Sequence, residues 1–581
     1  MTETTSPAGL GGTPTGELPG AGQRLFVRRS SGLVREVSIS NALFFNTAAF
    51  VGGGVGWVPV FYALAFVPVG LAGLSTYGWA SVIVGGFCVL LAIIFASLVS
   101  VMPRSGGDYV FTTRLLPRIG PFVGWVESFT LVVASLSIVA FEVPIFLRNL
   151  QITGRIIGIG TGAGFFERAN HWFASGGAIT GGWGFLGALL MLAIVLVIVV
   201  QPTRRFHRIV STLAVLGLVC VVLMFVFGLL LTSGSDVAAN LPKYGGATVA
   251  ELVKASHTNG TFGSGVSFAP LVFSFMLAVV LLNFIGFQYS AYIAGEVRGN
   301  ISRSLLIAVL GALVVAVLMN SVYADVLARH WGFNAQVGWG AMYWSSDPHL
   351  PLGQPNSMPL VAAIATPGAW PLWAVVSLGV TLFPLLLCPV YLMFCSRIML
   401  AWSLDRQVPE WLGRVDEKRH QPMNALYVAL AICVLFALFQ NFALLPHSIA
   451  PPDGKLNLVS TLWFSILMAF LTWFMPGING LLARFTRRDL MANAPYKRIL
   501  PYIAVVWLAF AGVLYYFAGF KPIVDALSSA KESTLNYFNR TGITFTIGAV
   551  VLAVLIFIVM RLRARQQGID TAMMFREVPP D

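Results

Sequence analysis

The chain has 581 residues, 57% of them hydrophobic and only 10% charged, against roughly 25% charged in an ordinary soluble domain. That balance excludes a water-solvated globule and points to an all-α polytopic membrane protein, because a bilayer core about 30 Å thick takes roughly 20 apolar residues per helix. The net charge of +13 raises nucleic acid as a partner, but the positions of the basic residues assign it to membrane topology instead.

Residues 1–36 are rich in Gly, Pro, Ser and Thr and lack the apolar core of a signal peptide, so a disordered cytosolic tail is expected there. Apolar runs between Pro-, Gly- and charge-bearing breaks then predict about twelve transmembrane helices, numbered here as spans 1 to 12. Spans 1 to 6 fall near Ser40–Val69, Trp79–Met102, Pro121–Phe146, Phe185–Val200, Ile209–Thr232 and Ala269–Ile293. Spans 7 to 12 fall near Leu305–Val326, Trp370–Ile398, Ala425–Leu445, Val459–Leu482, Ile499–Phe517 and Ile543–Met560.

An even number of spans puts both termini on one side, and most of the 36 Lys and Arg residues fall in the segments this arrangement makes cytosolic. Arg204, Arg205 and Arg208 stand between spans 4 and 5, and Arg484, Arg487, Arg488, Lys497 and Arg498 between spans 10 and 11. That bias predicts a multi-pass plasma-membrane protein with both ends inside and no nucleic-acid partner. Its division is a transport core over 37–482, spans 11 and 12 within 483–562 and a cytosolic tail over 563–581. The longer external segments carry Trp331, Trp339, Tyr343 and Trp344, which fit either interfacial anchoring or a lid over an outward cavity.

Span 1 is glycine-dense at its middle, Gly52-Gly53-Gly54-Val55-Gly56 with Pro59 beyond. Unwound backbone at mid-membrane survives only around a protein-buried or water-filled site, although small residues also serve close helix packing. Span 6 carries a second interruption, Asn283-Phe284-Ile285-Gly286-Phe287-Gln288. Interruptions at corresponding positions of two five-helix halves point to a transporter site, whose half-helix ends offer partial charges to an amino acid's carboxylate and ammonium.

Four stretches carry a family likeness: Gly52-Gly53-Gly54-Val55 with Pro59; Pro103-Arg104-Ser105-Gly106-Gly107-Asp108-Tyr109 followed by Gly124-Trp125; Phe284-Ile285-Gly286-Phe287 leading to Ala294-Gly295-Glu296-Val297-Arg298; and Ser396-Arg397 with Asp405-Arg406-Gln407-Val408-Pro409 and Pro422. In order and spacing they resemble the amino acid–polyamine–organocation (APC) permeases. The resemblance implies a five-plus-five inverted repeat over spans 1 to 10 with discontinuous helices 1 and 6. It also implies a secondary transporter of amino acids or related organic amines, by symport or antiport. Two departures stand out: Gln288 replaces an acidic residue many relatives carry after the helix 6 glycine, and span 5 lacks the lysine of some proton-coupled members.

The same resemblance implies that substrate lies against Gly52, Gly53 and Gly54 of span 1 and Asn283, Phe284, Gly286 and Phe287 of span 6. Either phenylalanine could gate the site or simply pack the core. Glu127 lies about 9 Å along span 3 from its cytosolic end, where a carboxylate is a proton carrier or half of an internal ion pair. Glu142, nearer the predicted outer end of span 3, fits the interface or an outer vestibule. Ser377 and Thr381 share a face of span 8, where sodium-coupled relatives place hydroxyl ligands; hydroxyls there can also bond to the preceding turn. Arg104, Asp108, Arg397 and Asp405 are expected in ion pairs at the inner mouth, as a gate or as static anchors.

The expected coupling ion is H+ rather than Na+, on the strength of Glu127. No cofactor is expected: a P-loop is absent, so ATP is not the direct energy source. Cys88, Cys220, Cys388, Cys395 and Cys433 form no CxxC or His-paired cluster, so neither disulfides nor structural metal are expected. The spans hold no His-rich or paired-acid constellation, so an enzyme is not expected. Partners are a small-molecule substrate and lipid, and a homo-oligomer is compatible with the pattern. The alternative reading is an inorganic cation carrier of K+ type on the same fold; a non-transporting receptor is a remoter one.

Overall fold

The computed structural model describes residues 32–50, 58–62, 73–116, 118–162, 181–258, 276–277, 280–281, 283–345, 347–446, 454–456, 458–520, 534–568 and 575. Their architecture is helical, with two isolated bridges, Val37 to Val297 and Asp416 to Gln421, in place of sheet. Eight helices among them are long and apolar enough to cross a bilayer. These are Thr76–Val101, Gly120–Thr161, Gly181–Val199, Thr203–Leu231, Ile301–His330, Pro367–Leu404, Met423–Asn441 and Thr541–Gln566, matching spans 2, 3, 4, 5, 7, 8, 9 and 12. Span 10 is the helix Leu458–Thr486, and span 11 is a shorter apolar helix, Leu500–Tyr515.

Local chemistry sets the ends. Ser75 caps span 2 by accepting the Gly78 amide at 3.0 Å, and Asn300 caps span 7 by accepting the Arg303 amide at 3.1 Å, each satisfying a donor the first turn leaves open. Pro202 separates spans 4 and 5, since proline lacks an amide hydrogen and constrains its predecessor. Span 3 stops at Gly162, whose φ of 65° suits the left-handed helix end.

Span 3 is longer than its apolar run predicts, 42 residues ending at Thr161 rather than near Phe146. The charges that mark an apparent end are covered: the Arg148 guanidinium donates to Gln354 Oε1 at 3.3 Å, a residue of the segment after span 7. The external segments are also more helical than expected, with helices at Gly234–Tyr244, Val249–Thr258, Phe333–Trp344 and Met358–Ala365. Trp331 and Trp339 are buried rather than anchored at a lipid interface. Their indoles donate to Thr232 Oγ1 and to the Gln354 carbonyl, each at 2.8 Å.

Spans 3 and 8 form the axis of the bundle. The most apolar stretch is 72% buried in span 3 and 83% in span 8, against 11% in span 12, which faces outward. Three contacts fix their register: Trp402 Nε1 to Ser128 Oγ at 2.8 Å, Cys388 Sγ to the Val139 carbonyl at 3.9 Å, and Thr153 Oγ1 with Ser377 Oγ at 2.7 Å. Numbers rise along one helix as they fall along the other, so the two run antiparallel, as alternating membrane crossings require.

Candidate functional site

Span 6 loses its regular helix where the sequence predicts. Asn283–Gln288 are turns, followed by a 3-10 helix over Tyr289–Glu296. Gly286 has a φ of +107°, and a Cβ added there would lie 2.7 Å from Ala49 Cβ and 3.2 Å from the Ala49 backbone. Both constraints require glycine: the backbone conformation disfavours L side chains, and span 1 leaves no room. The described parts of span 1 are Ile39–Phe50 and Val58–Phe61; Gly52, Gly53 and Gly54 lie outside the described residues.

Two hydrogen bonds tie the first part of span 1 to the far side of the interruption. Asn46 Nδ2 donates to Ser290 Oγ at 3.0 Å, and the Ser290 amide donates to Asn46 Oδ1 at 2.8 Å. A buried amide that both gives and receives in this way fixes the relative position of the two segments.

The two phenylalanines of the interruption are fully buried and face different neighbours. Phe284 reaches the surface of Gly85 in span 2, 3.4 Å from where a Cβ would stand, whereas Phe287 packs edge-on against Trp473 of span 10 at 6.1 Å. Asn283 donates to the Tyr77 hydroxyl and, at 3.4 Å, to Asn320 Oδ1 in the π-helical turn Met319–Tyr323 of span 7. Beyond it, buried Asp325 accepts the Tyr62 hydroxyl at 2.6 Å, the Ser75 amide at 2.6 Å and the Ser75 hydroxyl at 2.7 Å. Span 1, span 2 and span 7 are thereby joined at the predicted outer end.

At the predicted cytosolic end two ion pairs are wholly buried. Arg397 Nε and Nη2 donate to Glu296 Oε1 and Oε2 at 2.7 and 3.0 Å, and Arg114 Nη1 and Nη2 donate to Asp405 Oδ2 and Oδ1 at 2.7 Å each. Arg397 and Asp405 thus each belong to an ion pair, with partners, Glu296 and Arg114, that the sequence does not mark for that role. Glu296 stands in the acidic-basic end of span 6, a signal that could have found it. Arg114 is separated from Asp405 by 291 positions, and no local pattern announces it.

Asp108 lies elsewhere: it accepts the Tyr292 hydroxyl. The glycines before it wrap the end of span 6, with the Gly106 amide donating to the Tyr292 carbonyl at 2.9 Å. Gly107 has a φ of +52°, and a Cβ on it would overlap the Tyr292 ring. Arg104 is half-buried, with Nη1 on the Pro103 carbonyl at 3.4 Å.

Glu127 is buried and accepts the Thr112 hydroxyl at 2.7 Å, while Asn479 Nδ2 of span 10 donates to the same hydroxyl at 2.8 Å. Its other oxygen has no hydrogen-bond partner among the described residues, and its polar neighbours include Thr112 and, within electrostatic reach, Asp108 and Tyr292. The expected alternative, an ion pair with a basic residue, does not form among the described residues. Thr112 follows Asp108 by one turn on the helix Asp108–Leu115, so the two carboxylates approach the same helix face. Ser377 shares its hydroxyl contact with Thr153 of span 3, and Thr381 Oγ1 bonds back to the Ser377 carbonyl at 2.7 Å.

A family model described as amino acid permease matches residues 43–551. The chain belongs to the amino acid permease family. The match takes in nearly all of the permease's described helices, including the interruption of span 6 and both buried ion pairs. The protein is therefore a multi-pass membrane transporter acting on amino acids or related organic substrates. No curated protein matches the sequence of this permease.

Proposed function

We propose that the permease is a secondary active transporter that carries amino acids or related small organic amines by alternating access, driven by H+ or by exchange. It acts in the plasma membrane with both termini cytosolic. The observation that carries this reading is Gly286, held at positive φ against Ala49, which brings the interruption of span 6 onto span 1. Peptide groups freed there have no lipid partner and are available to a polar solute. Amides near Gly53 and Gly54 receive the carboxylate, and carbonyls at Asn283–Gln288 receive the ammonium.

In this reading the Glu296–Arg397 and Arg114–Asp405 pairs hold the inner mouth shut and break when it opens, while Arg104 and Asp108 steady the loop after span 2. One of Phe284 and Phe287 swings from its packed position to close over substrate. Glu127 carries the coupling proton: it is a buried carboxyl with no cation beside it among the described residues, and a proton changes its charge without breaking an ion pair. Na+ at Ser377 and Thr381 is the lesser candidate, because both hydroxyls already have protein partners.

Counterflow of labelled amino acids in proteoliposomes tests the reading. Exchange of at least one amino acid or amine supports it, and K+ flux without organic exchange replaces it with the inorganic cation carrier.

A further inference from the structure

Glu142 is a buried carboxylate outside both ion pairs and the proposed coupling site. It is 4% exposed, and its Oε2 has no hydrogen-bond partner among the described residues. An isolated acidic group in a low-dielectric interior is expensive unless a cation or donors complete it. Because span 3 runs on to Thr161, Glu142 sits close to the middle of that helix rather than at the outer boundary.

The register of spans 3 and 8 locates what it faces. Cys388 Sγ meets the Val139 carbonyl, one turn before Glu142, so the antiparallel helix opposite presents residues from about Pro384 to Tyr391. The titratable groups within electrostatic reach of Glu142 are Cys388 and Tyr391 of span 8, neither of them a cation. Tyr391 in turn reaches the interrupted segment, its hydroxyl donating to the Ile285 carbonyl at 3.5 Å. Glu142 is therefore one side chain removed from the broken backbone of span 6.

Prolines also interrupt the ladders of both helices near this level. Pro144 in span 3 and Pro384 and Pro389 in span 8 lie inside their helices. Proline offers no amide hydrogen to the carbonyl four residues earlier, which withdraws the helical partner of Ala140, Val380 and Leu385. The carboxylate thus stands beside span 8 with Cys388 and Tyr391 as its titratable neighbours and no positive group among the described residues to balance it. That is the environment an organic cation completes.

We propose that Glu142 sets the charge selectivity of transport by receiving a second ammonium group of the substrate, so that the permease takes diamino compounds, lysine, ornithine or putrescine, in preference to neutral amino acids. The inference rests on the proposed function for the substrate's position and adds the class of substrate. The broken spans hold the part common to all substrates, and Glu142 reads the distal end.

The test is counterflow of labelled lysine, putrescine and alanine by the full chain in proteoliposomes, for wild type, Glu142→Gln and Glu142→Asp. Wild type should exchange lysine or putrescine, and Glu142→Gln should raise their KM by about tenfold to a hundredfold, the worth of one charged hydrogen bond, leaving any alanine exchange unchanged. Glu142→Asp keeps the charge at shorter reach and should raise the lysine KM less. It also serves where Glu142→Gln does not insert as monodisperse protein. Wild-type exchange confined to neutral amino acids overturns this inference and leaves the proposed function standing, as does a Glu142→Gln KM for lysine equal to wild type or shifted equally for lysine and alanine. Loss of all organic exchange in wild type overturns both.

Discussion

Arg397 grips Glu296 through two hydrogen bonds of 2.7 and 3.0 Å, and neither side chain is exposed to solvent. One residue lies near the end of span 8 and the other at the end of the interrupted span 6, so the pair fastens the 3-10 segment of span 6 to the axis of the bundle. Breaking a buried pair by removing one partner strands the other charge and destabilises by roughly 3–5 kcal/mol, whereas removing both can be nearly neutral. Arg397→Met should therefore lower the melting temperature in detergent more than Glu296→Met with Arg397→Met together, as read from a thermal unfolding curve.

The second pair joins Arg114 of the helix Asp108–Leu115 to Asp405 at the end of span 8, and it too is wholly buried. Cys395, two positions before Arg397 in span 8, is fully buried. In a background where the other cysteines are serine, Asp405→Asn should speed maleimide labelling of Cys395 severalfold, because the opened mouth admits the reagent. An unchanged labelling rate would assign the pair to static anchoring of the loops.

Gly286→Ala meets two obstacles, the positive φ and the 2.7 Å approach to Ala49 Cβ. Strained backbone of this kind costs of order 1–3 kcal/mol. Initial uptake rates should fall by at least about tenfold for Gly286→Ala. Ala49→Gly combined with it should restore part of the activity by removing the contact while leaving the strain.

Glu127→Gln keeps the Thr112 hydrogen bond in kind but removes the titratable proton. Uptake driven by an imposed pH gradient should collapse to the rate seen without a gradient, while counterflow, which needs no net proton movement, persists. Gradient-driven uptake equal to wild type would return Glu127 to a structural role. Thr112→Val removes the donor at 2.7 Å and should shift the pH dependence of uptake without abolishing it.

Much of this arrangement was legible in the sequence because it is local. The apolar runs announce their helices, and the interruption at Asn283–Gln288 declares itself by a glycine between two amides. What escaped was long-range. The end of span 3 is masked by Arg148, a charge that looks like a membrane boundary until Gln354 arrives from another segment to receive it. Arg397 and Asp405 could be nominated as ion-pair formers, but their partners could not be chosen, since pairing across 101 and 291 positions is decided by packing. Asp108 reads as an ion-pair former, and only the fold of Gly106 and Gly107 around Tyr292 assigns it to a phenol instead.

The proposed mechanism requires that substrate be held where span 6 breaks against span 1. Its most direct test is equilibrium binding of the exchanged amino acid, by scintillation proximity on purified protein, to wild type, Gly53→Val and Gly286→Val. Both variants should insert and purify as folded protein yet lose saturable binding. Wild-type affinity in both folded variants would contradict it and place the site elsewhere in the bundle.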